Sequence, residues 1–265
     1  MRAMLALALL LPPLLTACDD DSEAEGGGAP EPEAPPADPA PDPAATRQLM
    51  AEHFQKATEA RQAIVGDDID GARAAMQWLA ENDTALEALP EDMRPRLAEM
   101  REKAGSFAEA TTLTEAGESL ARMLRTCGEC HSGEGRGPSF ETPPRPEGDT
   151  LPVQMQRHLW AAERMWEGLV THEDTLFSAG GATLSDVTLH AEELPQGVLE
   201  PERIEALVDH VHGLGADAGE ASDWDARAQI YGRLIATCAT CHRALGVTAF
   251  ARAGMQDPNT PTKQP

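Results

Sequence analysis

The sequence predicts an all-α protein built as two tandem four-helix units joined by a Pro- and Gly-rich linker. Residue types, an internal repeat and the spacing of turn signals carry that prediction. Aromatic residues make up only 4% of the chain. Ala, Leu, Glu and Arg are abundant and runs of Val, Ile, Tyr and Phe are nearly absent, so local propensity favours helix almost everywhere. An apolar share of 41% in 265 residues is enough for a real core, in one large domain or two small ones.

The repeat fixes the organisation. Setting Met50–Ala57 over Met155–Ala162 aligns Met50 with Met155 and His53 with His158 at an offset of 105. The same offset pairs Val65 with Val170, Leu79 with Leu184, and Leu89-Pro90 with Leu194-Pro195. Further along, Arg122, Leu124, Thr126, Cys127, Cys130 and His131 match Arg233, Ile235, Thr237, Cys238, Cys241 and His242 at an offset of 111. Matches at both ends in the same order, with six inserted residues between them, mark a tandem duplication.

Within the first copy, apolar periodicity punctuated by Gly66, Pro90 and Gly105 predicts helices near 46–65, 69–82, 91–105 and 113–131. In the second they fall near 152–170, 174–191, 201–214 and 222–242. Pro201 suits a first helical position, and Ser222-Asp223-Trp224-Asp225 resembles a capping box with Asp in place of Glu. Four helices with short loops predict one bundle over 46–132 and a second over 151–245. The Gly- and Pro-rich stretch 133–150 reads as the linker between them, and 246–265 as a C-terminal tail.

Residues 1–17 place one Arg ahead of a short apolar run, the pattern of an export signal too short to span a bilayer. Leu15-Thr16-Ala17-Cys18 resembles a bacterial lipobox, which implies lipidation of Cys18 and a membrane anchor facing the periplasm. The alternative is ordinary signal cleavage beside an incidental Cys. Residues 18–45 hold nine Asp or Glu, no Lys or Arg, and many Gly and Pro, so they read as a solvated tether. The formal net charge of −24 excludes binding to a phosphate backbone, which depends on Lys and Arg displacing counterions, and favours a basic or neutral protein partner.

The chemistry sits in Cys127-Gly-Glu-Cys130-His131 and Cys238-Ala-Thr-Cys241-His242. Cys-x-x-Cys-His is the attachment signature of c-type haem: two thiols add to the vinyl groups, and the adjacent His ligates the iron. One helical turn supplies all three groups. A thioredoxin-like redox pair lacks its βαβ context here, and half a zinc site leaves the following His unexplained in both copies. With Cys18 assigned to the lipid and four Cys to the motifs, no thiol remains for a structural disulfide. Two covalently attached haems are therefore expected, with His131 and His242 as proximal ligands.

Each motif closes its helical unit; only 23 residues follow His242. That placement resembles the class II c-type cytochromes, the cytochrome c-prime group, over about residues 46–132 and 152–245. The resemblance implies a four-helix bundle with haem on the last helix and the opposite iron ligand on the first. Met50 and His53, and again Met155 and His158, are spaced by three and share one helix face. His53 and His158 are the expected distal ligands, with Met50 and Met155, or an open site, as alternatives. The distal Met or apolar residue of that group is thus replaced by His, a departure that disfavours its gas chemistry.

Arg122 and Arg233 recur nine residues before each proximal His and could meet haem propionates, or serve as solvated helix cations. His172, His190, His210 and His212 have no counterpart in the first copy and read as surface or structural residues. Trp78, Trp160, Trp166 and Trp224 read as packing residues. The expected activity is electron relay between redox proteins; gas binding at an open iron and dihaem peroxidase activity are the rivals.

Overall fold

In a computed structural model of the chain, residues 42–82, 89–135, 137–186, 189, 193–194, 200–249 and 251 are described. The export signal, Cys18, most of the tether, His190 and nearly all of the C-terminal tail lie outside them. The described residues form eight α-helices and no strand: α1 (Pro43–Val65), α2 (Ile69–Glu81), α3 (Arg94–Gly105), α4 (Leu113–Glu134), α5 (Leu151–Thr171), α6 (Asp174–Asp186), α7 (Pro201–Glu220) and α8 (Trp224–Ala244). Among them no helix is long and apolar enough to cross a membrane.

Local chemistry sets the helix ends. Asp42 caps α1 by accepting from the Ala44 amide, with Pro43 at the first helical position. Asp68 caps α2. Thr112 and Glu115 form a reciprocal capping box at the start of α4, satisfying two amides that the helix leaves unpaired. Asp223, one residue after the expected Ser222, caps α8 by accepting from the Ala226 amide at 2.8 Å. Helix α7 runs past the expected stop at 214 to Glu220, because Gly215 and Ala218 are buried against α6 and hold that last turn and a half in place. Helix α6 covers Asp174–Asp186, and most of the expected continuation to 191 lies outside the described residues.

Consecutive helices of each half pack on one another: α1 on α2, α2 on α3, α3 on α4, then α5 on α6, α6 on α7 and α7 on α8. The first and last helices of each half also touch, α1 with α4 and α5 with α8. The most extensive packing crosses the halves, between α4 and α8, and α4 also meets α5 while α1 meets α8. One hydrophobic core thus runs from Leu49 through Leu124 and on through Ala161 to Ala239.

The α4–α8 crossing depends on small residues. A Cβ added at Gly117 would lie 2.2 Å from the Gly232 carbonyl oxygen, and one at Gly232 would lie 2.5 Å from the Glu118 Cα. Backbone therefore meets backbone, which only glycine permits. Adding the repeat offset of 111 to Gly117 and subtracting it from Gly232 gives Ala228 and Ala121, both fully buried. Flanking pairs give the direction: Glu118 accepts from Arg233 at 3.0 Å and Asp225 pairs with Arg125 at 2.9 Å, so α4 and α8 are antiparallel.

A second contact between the halves is polar. Arg61 is buried, lies 4.4 Å over the Trp166 ring and pairs with Glu163 at 2.9 Å. Arg61 and Trp166 are each other's counterparts at the offset of 105, so equivalent positions of the duplicated unit meet as cation and aromatic ring.

The linker is strapped to α5. Trp160 Nε1 donates to the Pro143 carbonyl at 2.8 Å, Arg157 Nε to Pro146 at 2.8 Å, and Arg164 to Glu141 at 3.3 Å. Phe140 packs on Phe54 of α1, with ring centroids 6.0 Å apart.

Gly213, inside α7, has no heavy atom within 4 Å of a built Cβ. Gly213→Ala is expected to raise stability by about 0.5–1 kcal/mol, the usual gain from replacing glycine in an open helix interior. A urea titration checks this; a loss of stability would mean that α7 is not helical at this point.

Candidate functional site

Both Cys-x-x-Cys-His motifs occupy the last turns of a helix, Cys127–His131 on α4 and Cys238–His242 on α8. Burial pushes the thiols of Cys127 and Cys238 up to about 12, and raises that of Cys241. The four thiols are not joined as disulfides.

The first motif is held by the second half. His131 Nδ1 lies 2.8 Å from the Val170 carbonyl at the end of α5. A carbonyl only accepts, so Nδ1 carries the proton and Nε2 keeps its lone pair, the tautomer a metal ligand needs. A Cβ on Gly128, inside the motif, would lie 2.2 Å from the Leu169 carbonyl oxygen and 2.1 Å from the His172 ring. Glycine is what lets this turn approach.

His172 closes α5 in the left-handed region, with φ of 54°. It stacks on Trp224 at 4.3 Å with the rings 2° from parallel, and its Nε2 is buried without a hydrogen-bond partner. The sequence assigned it no task; the structure brings it against the first motif. No local pattern signals that, because the contact spans two halves of the chain.

The second motif has a matching neighbour. Arg243, just after His242, pairs with Asp67 at 2.8 Å in the turn between α1 and α2. Asp67 has φ of 61° and is the counterpart of His172 at the offset of 105. Each motif helix therefore ends against the first interhelical turn of the other half. His242 Nδ1, in contrast to that of His131, is buried without a hydrogen-bond partner.

The expected distal residues differ between the halves. His158 is lowered to about 4, first by burial and then by the nearby imidazoles of His212 on α7 and His242. Its Nε2 is buried with no hydrogen-bond partner. His53 also has a buried, unpartnered Nε2 and is lowered to about 4 by burial. It meets the edge of Trp78 at 5.9 Å. Met50 packs on the main core and Met155 on a small cluster with Leu189, Leu194, Ile204 and Val208. Arg122 and Arg233 both approach Glu118, at 3.7 and 3.0 Å, at the α4–α8 crossing.

His172 titrates in its own way. Burial holds it neutral, down to about 4 against an ordinary value of 6.5. A histidine lowered by folding gives stability that is full above pH 6.5 and is lost as the pH falls toward 4, because the unfolded chain takes up the proton first. His172→Asn keeps a residue that tolerates positive φ and is expected to flatten the fall in melting temperature between those two values. An unchanged slope would show that His172 is not buried as described.

These residues fit a haem at each motif. Two cysteines three apart and a His share one helical turn, His131 is held in the ligating tautomer, and His53 and His158 are neutral imidazoles with a buried ring nitrogen that no protein group satisfies. Such nitrogens are costly unless a ligand completes them. A surface cleft of about 360 Å³ is bordered by Thr240 of the second motif and by Arg243 just after it, and no motif cysteine lines it. Comparison with protein-family models, curated proteins and solved structures finds no match to this chain.

Proposed function

We propose that the chain is a dihaem c-type cytochrome that relays electrons, built as two class II-like four-helix units and tethered through lipid on Cys18 to the periplasmic face of a bacterial membrane. The observation that carries the reading is the second site, where His158 presents an unsatisfied buried nitrogen in the neighbourhood of the motif histidine His242. Haem, when bound, supplies a reversible one-electron iron couple whose potential depends on axial ligands, burial and hydrogen bonds. Cys127 and Cys130 would hold the first group and Cys238 and Cys241 the second. His131 and His242 would supply the motif-side ligands, and His53 and His158 the second ligand of the first and second group.

The residues around each motif tune these ligands. The Val170 carbonyl fixes the His131 ring and makes it the more basic ligand, a support that His242 lacks. Burial keeps His53 and His158 neutral, so each offers a lone pair across the neutral pH range. Arg122 and Arg233 would have to leave Glu118 to reach propionates. The acidic surface favours basic or neutral redox partners.

A second reading, gas binding at an open iron, is favoured at the first motif, where His53 is engaged with the edge of Trp78. A visible spectrum of the oxidised protein tests both. Two low-spin haems support relay, a carbon monoxide shift in one of them supports an open first site, and high-spin iron in both haems contradicts the relay reading.

A further inference from the structure

The antiparallel crossing of α4 and α8 determines where the two attachment sites lie. From Gly117, Cys127 is ten residues onward along α4; from Gly232, Cys238 is six residues onward along α8, in the opposite direction. At a rise of about 1.5 Å per residue the two cysteines stand roughly 24 Å apart along the helix pair, and His131 and His242 roughly 36 Å apart. The intervening interior is packed with Leu120, Leu124, Tyr231 and Ile235, each no more than 1% exposed. The ion pairs Glu118–Arg233 and Arg125–Asp225 close the crossing on its flanks.

Electron transfer through packed protein falls off exponentially with distance, and haems that share electrons rapidly sit close to edge contact. The linker is hydrogen-bonded to α5, and Arg61 stacks on Trp166 between the halves, contacts that hold the two ends apart. Resting on the haem reading above, we propose that the two haems are separate redox ports at opposite ends of the α4–α8 pair, each taking one electron from a donor protein and giving one to an acceptor protein at its own end. The chain is then a two-electron store with two doors. An electron entering at the Cys127 end leaves from that end.

The alternative route runs through the middle, by way of Tyr231, whose ring lies 6.2 Å from that of Trp166. Pulsed dipolar paramagnetic resonance on the full, doubly ferric protein is expected to give an iron–iron distance beyond about 20 Å, from the helical rise. Potentiometric titration should show each potential unchanged when the other port is emptied by Cys127→Ala/Cys130→Ala or by Cys238→Ala/Cys241→Ala. Electron re-equilibration between haems in half-reduced protein should be at least a hundredfold slower than exchange with an external donor, with Tyr231→Phe leaving it unchanged. An exchange-split resonance spectrum, a short distance, or a re-equilibration rate that drops in Tyr231→Phe would overturn the proposal. Where the emptied variants fail to fold, the distance in the intact protein decides. A haem count of two with a short distance defeats this inference alone, and a count of zero defeats the haem reading beneath it.

Discussion

Gly232→Val is expected to destabilise the chain by about 3 kcal/mol or more, the range for forcing side-chain volume into a closed contact. A Cβ at this position already meets the Glu118 backbone at 2.5 Å, and a helical backbone cannot move aside as a flexible side-chain tip can. The branched side chain would drive α8 away from α4 and stretch the Glu118–Arg233 and Arg125–Asp225 pairs. Because the core is continuous between the halves, the loss should appear as one cooperative transition at lower denaturant and not as the early melting of one half. Two separated transitions in Gly232→Val, or a change below 1 kcal/mol, would mean that α4 and α8 do not cross here.

His158→Ala is expected to convert one haem from low-spin to high-spin and to open it to carbon monoxide, with the other haem unchanged. The His158 Nε2 is buried with no hydrogen-bond partner, and on the proposed reading alanine removes the second ligand of the haem that Cys238 and Cys241 would hold. Truncating a buried histidine also leaves a small cavity, so a stability loss of about 1–3 kcal/mol accompanies the spectral change. His158→Met separates the two effects: it refills the space, and a thioether ligand should restore low-spin iron at a raised potential. His53→Ala provides the comparison at the first motif, where the smaller response is expected because His53 is engaged with Trp78. A low-spin spectrum unchanged in both alanine variants would remove the distal assignments and leave the attachment motifs untouched.

The helical content was legible because each helix carries its own signals. Pro201 marks a start, and the predicted limits of α1 to α5 fall within a few residues of those observed, although α1 begins at Pro43, inside the stretch read as tether, where Asp42 caps it. The repeat was legible as well, and it holds in detail: α2 and α6 begin and end at positions 105 residues apart, and the positive-φ residues Asp67 and His172 are counterparts. Two features escaped. The last turns of α7 lie beyond the predicted end at 214, and Gly215 is there to let α6 approach, which a glycine in isolation does not say. The α4–α8 crossing rests on Gly117, Ala121, Ala228 and Gly232, which add little to a hydrophobic pattern because their contribution is the absence of side chain. The role of His172 escaped for a related reason: it depends on a turn meeting a motif more than forty residues away, and only the tertiary packing supplies that.

The most direct test is the haem content of the exported chain, produced together with a c-type haem attachment system and read from its alkaline pyridine spectrum and intact mass after denaturation. Two haems per chain, held covalently through denaturation and reduced to one by Cys238→Ala/Cys241→Ala, is the predicted result. A chain with both cysteine pairs intact and no covalent haem would contradict the account.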